Sequence, residues 1–297
     1  MIRIFKCIIV GMIQSCVNKL IDDMNPIKET IHLDLVLDGG AFNGSFLIGA
    51  LFFLREMERR NYVKIHRISG VSIGSVAGIF YKIDKLDLFE KLYSVAHQDL
   101  TSNYSVNFIK YVAEFSEFDI HKLGANVFIA YNNVPTRQRR VIHRFKSVQH
   151  LKETVIRSCY APFIVTGDPL YKRKYMDGIN PHLFAPVDGR RILHLDLLYR
   201  GSMMEMMNIR NEHSAQHRVL SGVLDIHSFF IKGSSTKMCS FVNDWWFHTR
   251  MYFKGRQLVE YMVILAFYLV KTFVSDTTDI NHLVTNVTRF LIKQFCV

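Results

Sequence analysis

The chain has 297 residues, 49% of them hydrophobic and 13% aromatic, enough for one large domain or a domain with an appendage. That apolar share is above the usual balance for a purely soluble protein, so the surface is not expected to be uniformly polar. The net charge of +11 points toward an acidic partner, nucleic acid or an anionic lipid surface, and the five cysteines (Cys7, Cys16, Cys159, Cys239, Cys296) form no C-x-x-C pair that would indicate a zinc site or a disulfide framework.

At the N-terminus, Arg3 and Lys6 precede an apolar run over 7–13 that is short for a signal-peptide core and lacks a small-residue cleavage site. An amphipathic leader over 1–32, packed on the domain or on a membrane, is the expectation. Residues 33–37 read as a strand that runs into the glycine-punctuated turn 38–44. From 45 to 60 apolar residues recur at helical spacing, with Arg55, Glu58 and Arg59 on a polar side. A second strand over 64–68 ends at Gly70-Val71-Ser72-Ile73-Gly74, and a helix over 75–81 follows. This repeated strand-loop-helix unit predicts an α/β layer with a largely parallel sheet, because crossover helices must cover its faces.

Further on, 84–97 and 147–158 read as helices and 126–130, 141–145 and 163–166 as strands. The basic residues Arg137, Arg139 and Arg140 lie on the loop between two of these strands and read as a solvated hairpin end. Beyond residue 188 the pattern weakens. Met203, Met204, Met206 and Met207 form a methionine-rich stretch, read as core filling or a lid over an apolar channel. The segment 261–270 reads as a buried helix, too short for the ~20 residues of a bilayer span. The aromatics Trp245, Trp246, Phe247, Tyr252 and Phe253 fit either a lipid interface or a core.

The chemistry is carried by G-x-S-x-G, which holds a serine on a strained strand-to-helix turn, with backbone N–H groups at the helix N-terminus facing a developing oxyanion. Ser72 is therefore the candidate nucleophile. The earlier loop could be a dinucleotide cradle, but Ala41 occupies the third glycine position and no acidic ribose ligand ends the next strand. An oxyanion hole fits better, with the N–H groups of Gly40 and Ala41 aimed at a tetrahedral intermediate. For the base, Asp177, followed by Gly178 at the end of a strand, is the strongest candidate. A Ser-His-Asp triad stays open on order alone, since His182, His194, His213, His217, His227, His248 and His282 all follow Ser72.

The ordered set of a glycine-rich loop, G-x-S-x-G and a downstream Asp-Gly resembles the patatin-like phospholipases, as does Ser158-Cys159-Tyr160-Ala161-Pro162-Phe163, which looks like the family's helix-ending segment before the aspartate. The resemblance covers about 33–188. It implies a three-layer α/β/α fold with a mostly parallel central sheet, a catalytic domain over 33–189 and a mainly helical extension over 190–297. It also implies a Ser72–Asp177 dyad, an oxyanion loop of Gly39, Gly40 and Ala41, and supporting glycines at Gly44, Gly70, Gly74 and Gly178. No metal or other cofactor is implied. The expected substrate is a phospholipid or another acyl lipid met at a peripheral membrane surface, anionic or not, by a cytoplasmic or membrane-associated protein, with no nucleic-acid partner. The sequence departs from the family at Ala41, at Asn43 (usually Arg or Lys) and at Ile179 after Asp-Gly. A catalytically silent lipid-binding protein of the same fold is the rival reading.

Overall fold

The computed structural model describes residues 2–25, 27–103, 115–165, 168–198, 206, 208–209, 215–273 and 278–295. Helix α1 (Ile2–Asp22) lays Ile13, Val17 and Ile21 into the core. Strand β1 (Ile31–Leu37) follows, then a 3₁₀ turn (Ala41–Asn43) and α2 (Gly44–Arg59). Next come β2 (Val63–Val71), α3 (Ile73–Lys82), α4 (Leu88–Asn103) and α5 (Glu117–Leu123). The hairpin β3 (Val127–Asn133) and β4 (Gln138–Ile142) leads to α6 (Val148–Ser158), β5 (Tyr175–Asp177) and β6 (Arg191–Leu195). The chain ends with α7 (Gln216–Lys232), β7 (Cys239–Phe241), α8 (Phe247–Phe273) and α9 (Thr278–Phe295).

The strands form one sheet in the order β4-β3-β2-β1-β6-β7, with β5 added to β3. The inner strands β3, β2, β1 and β6 run parallel and the edges β4 and β7 antiparallel. Alternation along β1 explains how it is covered on both faces. Leu33, Leu35 and Leu37 point into the main core with residues of α2 and α3, while Val36 meets Phe184 and Ile192 opposite. Asp34 shares that second face and is buried, its carboxylate held by Arg67 at 3.0 and 2.5 Å. The arrangement is the expected three-layer α/β/α fold.

Helices α2 and α7 cross backbone to backbone at two glycines. A Cβ on Gly49 would lie 1.9 Å from the Val219 carbonyl oxygen, and one on Gly222 would lie 2.0 Å from that of Phe46. Neither neighbour is a flexible side chain, so the helices would have to separate. Gly49→Ala is accordingly expected to lower stability by about 3 kcal/mol or more, read as an earlier midpoint in urea unfolding.

Several elements differ from the sequence reading. Residues 163–165 form turns instead of a strand, because Phe163 takes φ 64 and its N–H donates to the Asp168 carbonyl; Thr166 lies outside the described residues. Helix α4 starts at Leu88, after Asp84 breaks the chain direction with φ 59. Strand β4 begins three residues earlier than expected, so Arg139 and Arg140 pair within the sheet and only Arg137 occupies the turn. The segment 261–270 is not a buried helix. It belongs to α8, where Ile264 is buried but Tyr261, Met262, Leu269 and Val270 are exposed.

Candidate active site

Ser72 sits between β2 and α3 with φ 51 and ψ −129, a conformation that costs a side-chain-bearing residue about 1–3 kcal/mol and survives only where its surroundings fix it. Those surroundings are close. A Cβ on Gly70 would lie 2.5 Å from the Gly74 carbonyl oxygen, and one on Gly74 would lie 2.4 Å from that of Asp38, so the turn admits only glycine at both positions. The Ser72 N–H donates to Ser158 Oγ at 3.0 Å, and that hydroxyl donates to the Ala130 carbonyl at 2.7 Å. Ser75 closes the other side, donating through N–H and Oγ to the Ser72 carbonyl at 2.9 and 2.6 Å.

Sheet register explains how Asp177 reaches this turn. Residues Val127 to Ala130 of β3 pair with β2, ending at Val71 opposite Ala130, and the next residue, Tyr131, pairs with Asp177 of β5. Strand β5 thus takes the slot that β2 leaves at the elbow, and the two strands meet end to end. Gly178 permits the approach, since a Cβ there would lie 2.6 Å from Val71 Cγ2. The Asp177 N–H donates to the Tyr160 carbonyl at 2.9 Å, and Asn132 Nδ2 donates to the Asp177 carbonyl at 2.9 Å. Burial pushes the Asp177 carboxyl well above the usual carboxylate range, against the hydrogen bonds of the Ser72 hydroxyl and the Gly178 N–H, and Glu260 pushes it in the same direction as burial. Its Oδ1 is closed off from solvent and has no hydrogen-bond partner among the described residues.

The loop before α2 completes the site. A Cβ on Gly39 would lie 3.0 Å from Ser72 Cβ and one on Gly40 would lie 2.9 Å from Leu197 Cβ, so the backbone passes directly beside the serine. Among the described residues, the N–H groups of Gly39, Gly40 and Ala41 donate to no protein acceptor, as an oxyanion hole requires. Ala41 has φ 43, a strain of roughly 1–2 kcal/mol that a glycine would not carry. Gly44 packs against Ile73, 2.3 Å from where its Cβ would stand.

Ser72, Asp177 and Gly39 to Ala41 all line one cavity of about 390 Å³, whose other walls are apolar, among them Phe89, Leu92, Ile164, Val165 and Phe267. Met206 and Ile179 also line it, whereas Met203, Met204 and Met207 lie outside the described residues. No described histidine lines it. His194 instead contacts Asp38 at 3.5 Å and packs on Trp245 and Phe253, His182 stacks on Phe128, and His213 lies outside the described residues. Among the described residues, no group of three or more His, Cys, Asp or Glu could hold a metal ion.

Three charged residues of the C-terminal third reach the site, and the sequence reading missed all of them. Arg218 of α7 donates to Asn43 Oδ1 and to the Asn208 carbonyl at 2.8 Å, which brings a buried guanidinium to the loop position where the family resemblance would have placed a cation. It lies behind the loop and does not line the cavity. Arg256 of α8 holds Asp38, the residue before the Gly39–Ala41 loop, through two bonds of 3.0 and 2.9 Å. Burial disfavours the charge on Asp38, yet Arg256 and His194 outweigh it and hold the carboxyl far below its usual range. One turn further, Glu260 accepts from Asn132, Ile179 and Asn180. Apart from its apolar surroundings, no local pattern marks such a residue, though a charge within an apolar helix needs a partner.

An elbow serine and an aspartate thus meet at one apolar cavity, under a loop whose N–H groups have no acceptor among the described residues. Residues 35–181 match the model of the patatin-like phospholipases, so this segment is a patatin-like phospholipase domain. No curated protein matches the chain. That match points to hydrolysis of lipid esters.

Proposed function

We propose that this protein hydrolyses carboxylic ester bonds of phospholipids or other acyl lipids through a covalent acyl-enzyme on Ser72, with Asp177 as its only base. The observation that carries this reading is the meeting of Ser72 and Asp177 at the wall of an apolar cavity that no described histidine lines. Asp177 takes the Ser72 Oγ proton as Oγ attacks the carbonyl carbon, and the oxyanion forms against the Gly40 and Ala41 N–H groups. The proton then passes to the departing alcohol oxygen. Water, deprotonated by Asp177, attacks the acyl-enzyme and releases the fatty acid and free Ser72. The acyl chain lies among Phe89, Leu92, Val165 and Phe267, within a volume ordinary for a ligand site. The raised proton affinity of Asp177 suits a base, since an ordinary carboxylate is too weak an acceptor for a serine proton.

A fluorophosphonate probe tests the reading directly. The wild type is expected to label and to turn over phospholipid, and Ser72→Ala to do neither. A wild type that stays unlabelled while binding lipid would establish the silent-protein alternative.

The same reading includes docking to a lipid surface through α8. Val263 and Phe267 of α8 line the cavity, while Leu258, Val259, Tyr261 and Met262 of the same helix are exposed at 48–62%, as are its first residue Phe247 and the preceding Trp246 at 77%. Exposed Arg250 and Lys254 accompany them, which favours an anionic bilayer. Among the described residues no helix is long and apolar enough to cross a membrane. Leu258→Glu combined with Met262→Glu is expected to abolish flotation with anionic liposomes and to cut vesicle turnover about tenfold, with hydrolysis of a soluble short-chain ester within about twofold of wild type. Equal binding of the wild type to neutral vesicles would remove the electrostatic part.

A further inference from the structure

We propose that Glu260 of α8 is a positioning residue for Asp177, so that a helix outside the family-matched segment completes the base half of the site; the inference rests on Asp177 acting as the base. Strand β5 has only three residues and, among the described residues, pairs only with β3 and, at Tyr175, with Tyr171. The chain after Asp177 is secured from α8. Glu260 Oε1 accepts from the Ile179 N–H at 3.0 Å and from Asn132 Nδ2 at 2.8 Å, and the same Asn132 amide donates to the Asp177 carbonyl at 2.9 Å. Oε2 accepts from Asn180 Nδ2 at 2.9 Å, and that amide also donates to the Arg256 carbonyl at 3.1 Å. One carboxylate therefore binds both residues that follow Gly178 and, through Asn132, the peptide of Asp177 itself. Glu260 is 4% exposed and does not line the cavity, so it acts through Asp177 and not on substrate.

A neutral residue could make some of these bonds, and the choice of a second acid beside a buried base has a chemical consequence. The groups facing Asp177 are Ser72 before α3, Cys159 after α6 and Glu260 from α8, with Arg139 of β4 behind Glu260 and bonded to the Asn180 carbonyl at 2.6 Å. Glu260 is the only acid among them. Its charge adds to burial in strengthening the hold of Asp177 on a proton, which makes the ionised carboxylate a better acceptor for the serine proton.

Two variants separate charge from reach. In Glu260→Gln, which keeps the reach and loses the charge, the acid limb of kcat on a soluble short-chain ester is expected to move to lower pH by about one unit. Its plateau should fall about tenfold, with KM within twofold. In Glu260→Asp, which keeps the charge and shortens the reach, the limb should stay and the plateau fall. An unmoved limb in folded Glu260→Gln, or a wild-type plateau in Glu260→Asp, would overturn the proposal, and the second variant decides if the first does not fold. Carbon-13 titration of the Asp177 carboxyl, assigned by its absence in Asp177→Asn, reads the same effect without turnover, with a lower midpoint expected in Glu260→Gln. A wild type that titrates as expected but hydrolyses no ester would sink the hydrolase reading and leave the Glu260–Asp177 coupling standing.

Discussion

Replacing Asp177 with asparagine is expected to cut ester turnover by at least about a thousandfold, the upper part of the range for a general base, and at the same time to raise the melting temperature at neutral pH. The first effect follows from the site holding no second base among the described residues: the asparagine amide could still hydrogen-bond the Ser72 hydroxyl but could not accept its proton, and no described histidine is placed to substitute. The second follows from the sign of the carboxyl's shift. Burial and Glu260 raise the proton affinity of Asp177 in the folded chain well above its unfolded value. From about pH 4 up to that raised value, the unfolded chain has released a proton that the folded chain retains, so stability falls as pH rises through the window. Asparagine has no such proton to release. The Tm difference between variant and wild type should thus open above about pH 4 and widen with pH. Stability given up for a reactive group is the pattern expected of an active site. Melting curves from pH 4 to 8 check it: a variant less stable than wild type at pH 7, or one retaining a tenth of wild-type turnover, would rule out the buried-base account.

The parts of the site that were legible in the sequence are those whose geometry leaves little choice of residue. Gly70 and Gly74 are forced by carbonyl oxygens that would stand 2.5 and 2.4 Å from a Cβ at either position, so the elbow is written as a pattern of residue types. Asp177 was marked by its place before Gly178, where Val71 Cγ2 lies 2.6 Å from any Cβ. The long-range contacts that hold these pieces carry no such mark. Asp38 and Arg256 are 218 positions apart, and Asn43 and Arg218 are 175 apart, distances over which periodicity says nothing. Apolar runs misled twice, for different reasons. Residues 163–166 have strand composition, but Phe163 enters the left-handed region and turns the chain. Residues 261–270 have the composition of a core helix, yet α8 buries Ile264 against Val134, Leu170 and Met176 while leaving Tyr261 and Met262 exposed. An apolar helix surface is equally suited to protein or lipid, and composition cannot separate the two.

Arg256→Ala is expected to be among the most destabilising single changes, at about 3–5 kcal/mol, because it breaks a buried pair and leaves one charge behind. Asp38 is 0% exposed and takes two hydrogen bonds from the guanidinium, and His194, which also faces it, stands 3.5 Å away. The pH dependence identifies the cause. Asp38 is held below its unfolded proton affinity, so its contribution to stability is complete above about pH 4 and is lost as pH falls below it. Removing Arg256 should remove most of that loss, and the gap between variant and wild type should narrow in acid. Asp196, 3.5 Å from the same guanidinium, behaves oppositely: burial and then Asp38 raise it to about 6, so its contribution declines as pH rises from the unfolded value toward that figure. Losing Arg256 lifts Asp196 further, which extends that decline to higher pH. The companion variant Arg256→Met with Asp38→Asn, which discards both charges, should recover a substantial part of the lost stability without recovering activity, because Asp38 leads into the proposed oxyanion loop and is anchored by this pair. Urea unfolding of the three proteins at pH 4 and 7, with ester turnover on the same samples, distinguishes the outcomes. A double variant no more stable than Arg256→Ala would mean that α8 is held by packing, and that the buried charges serve neither the fold nor the loop.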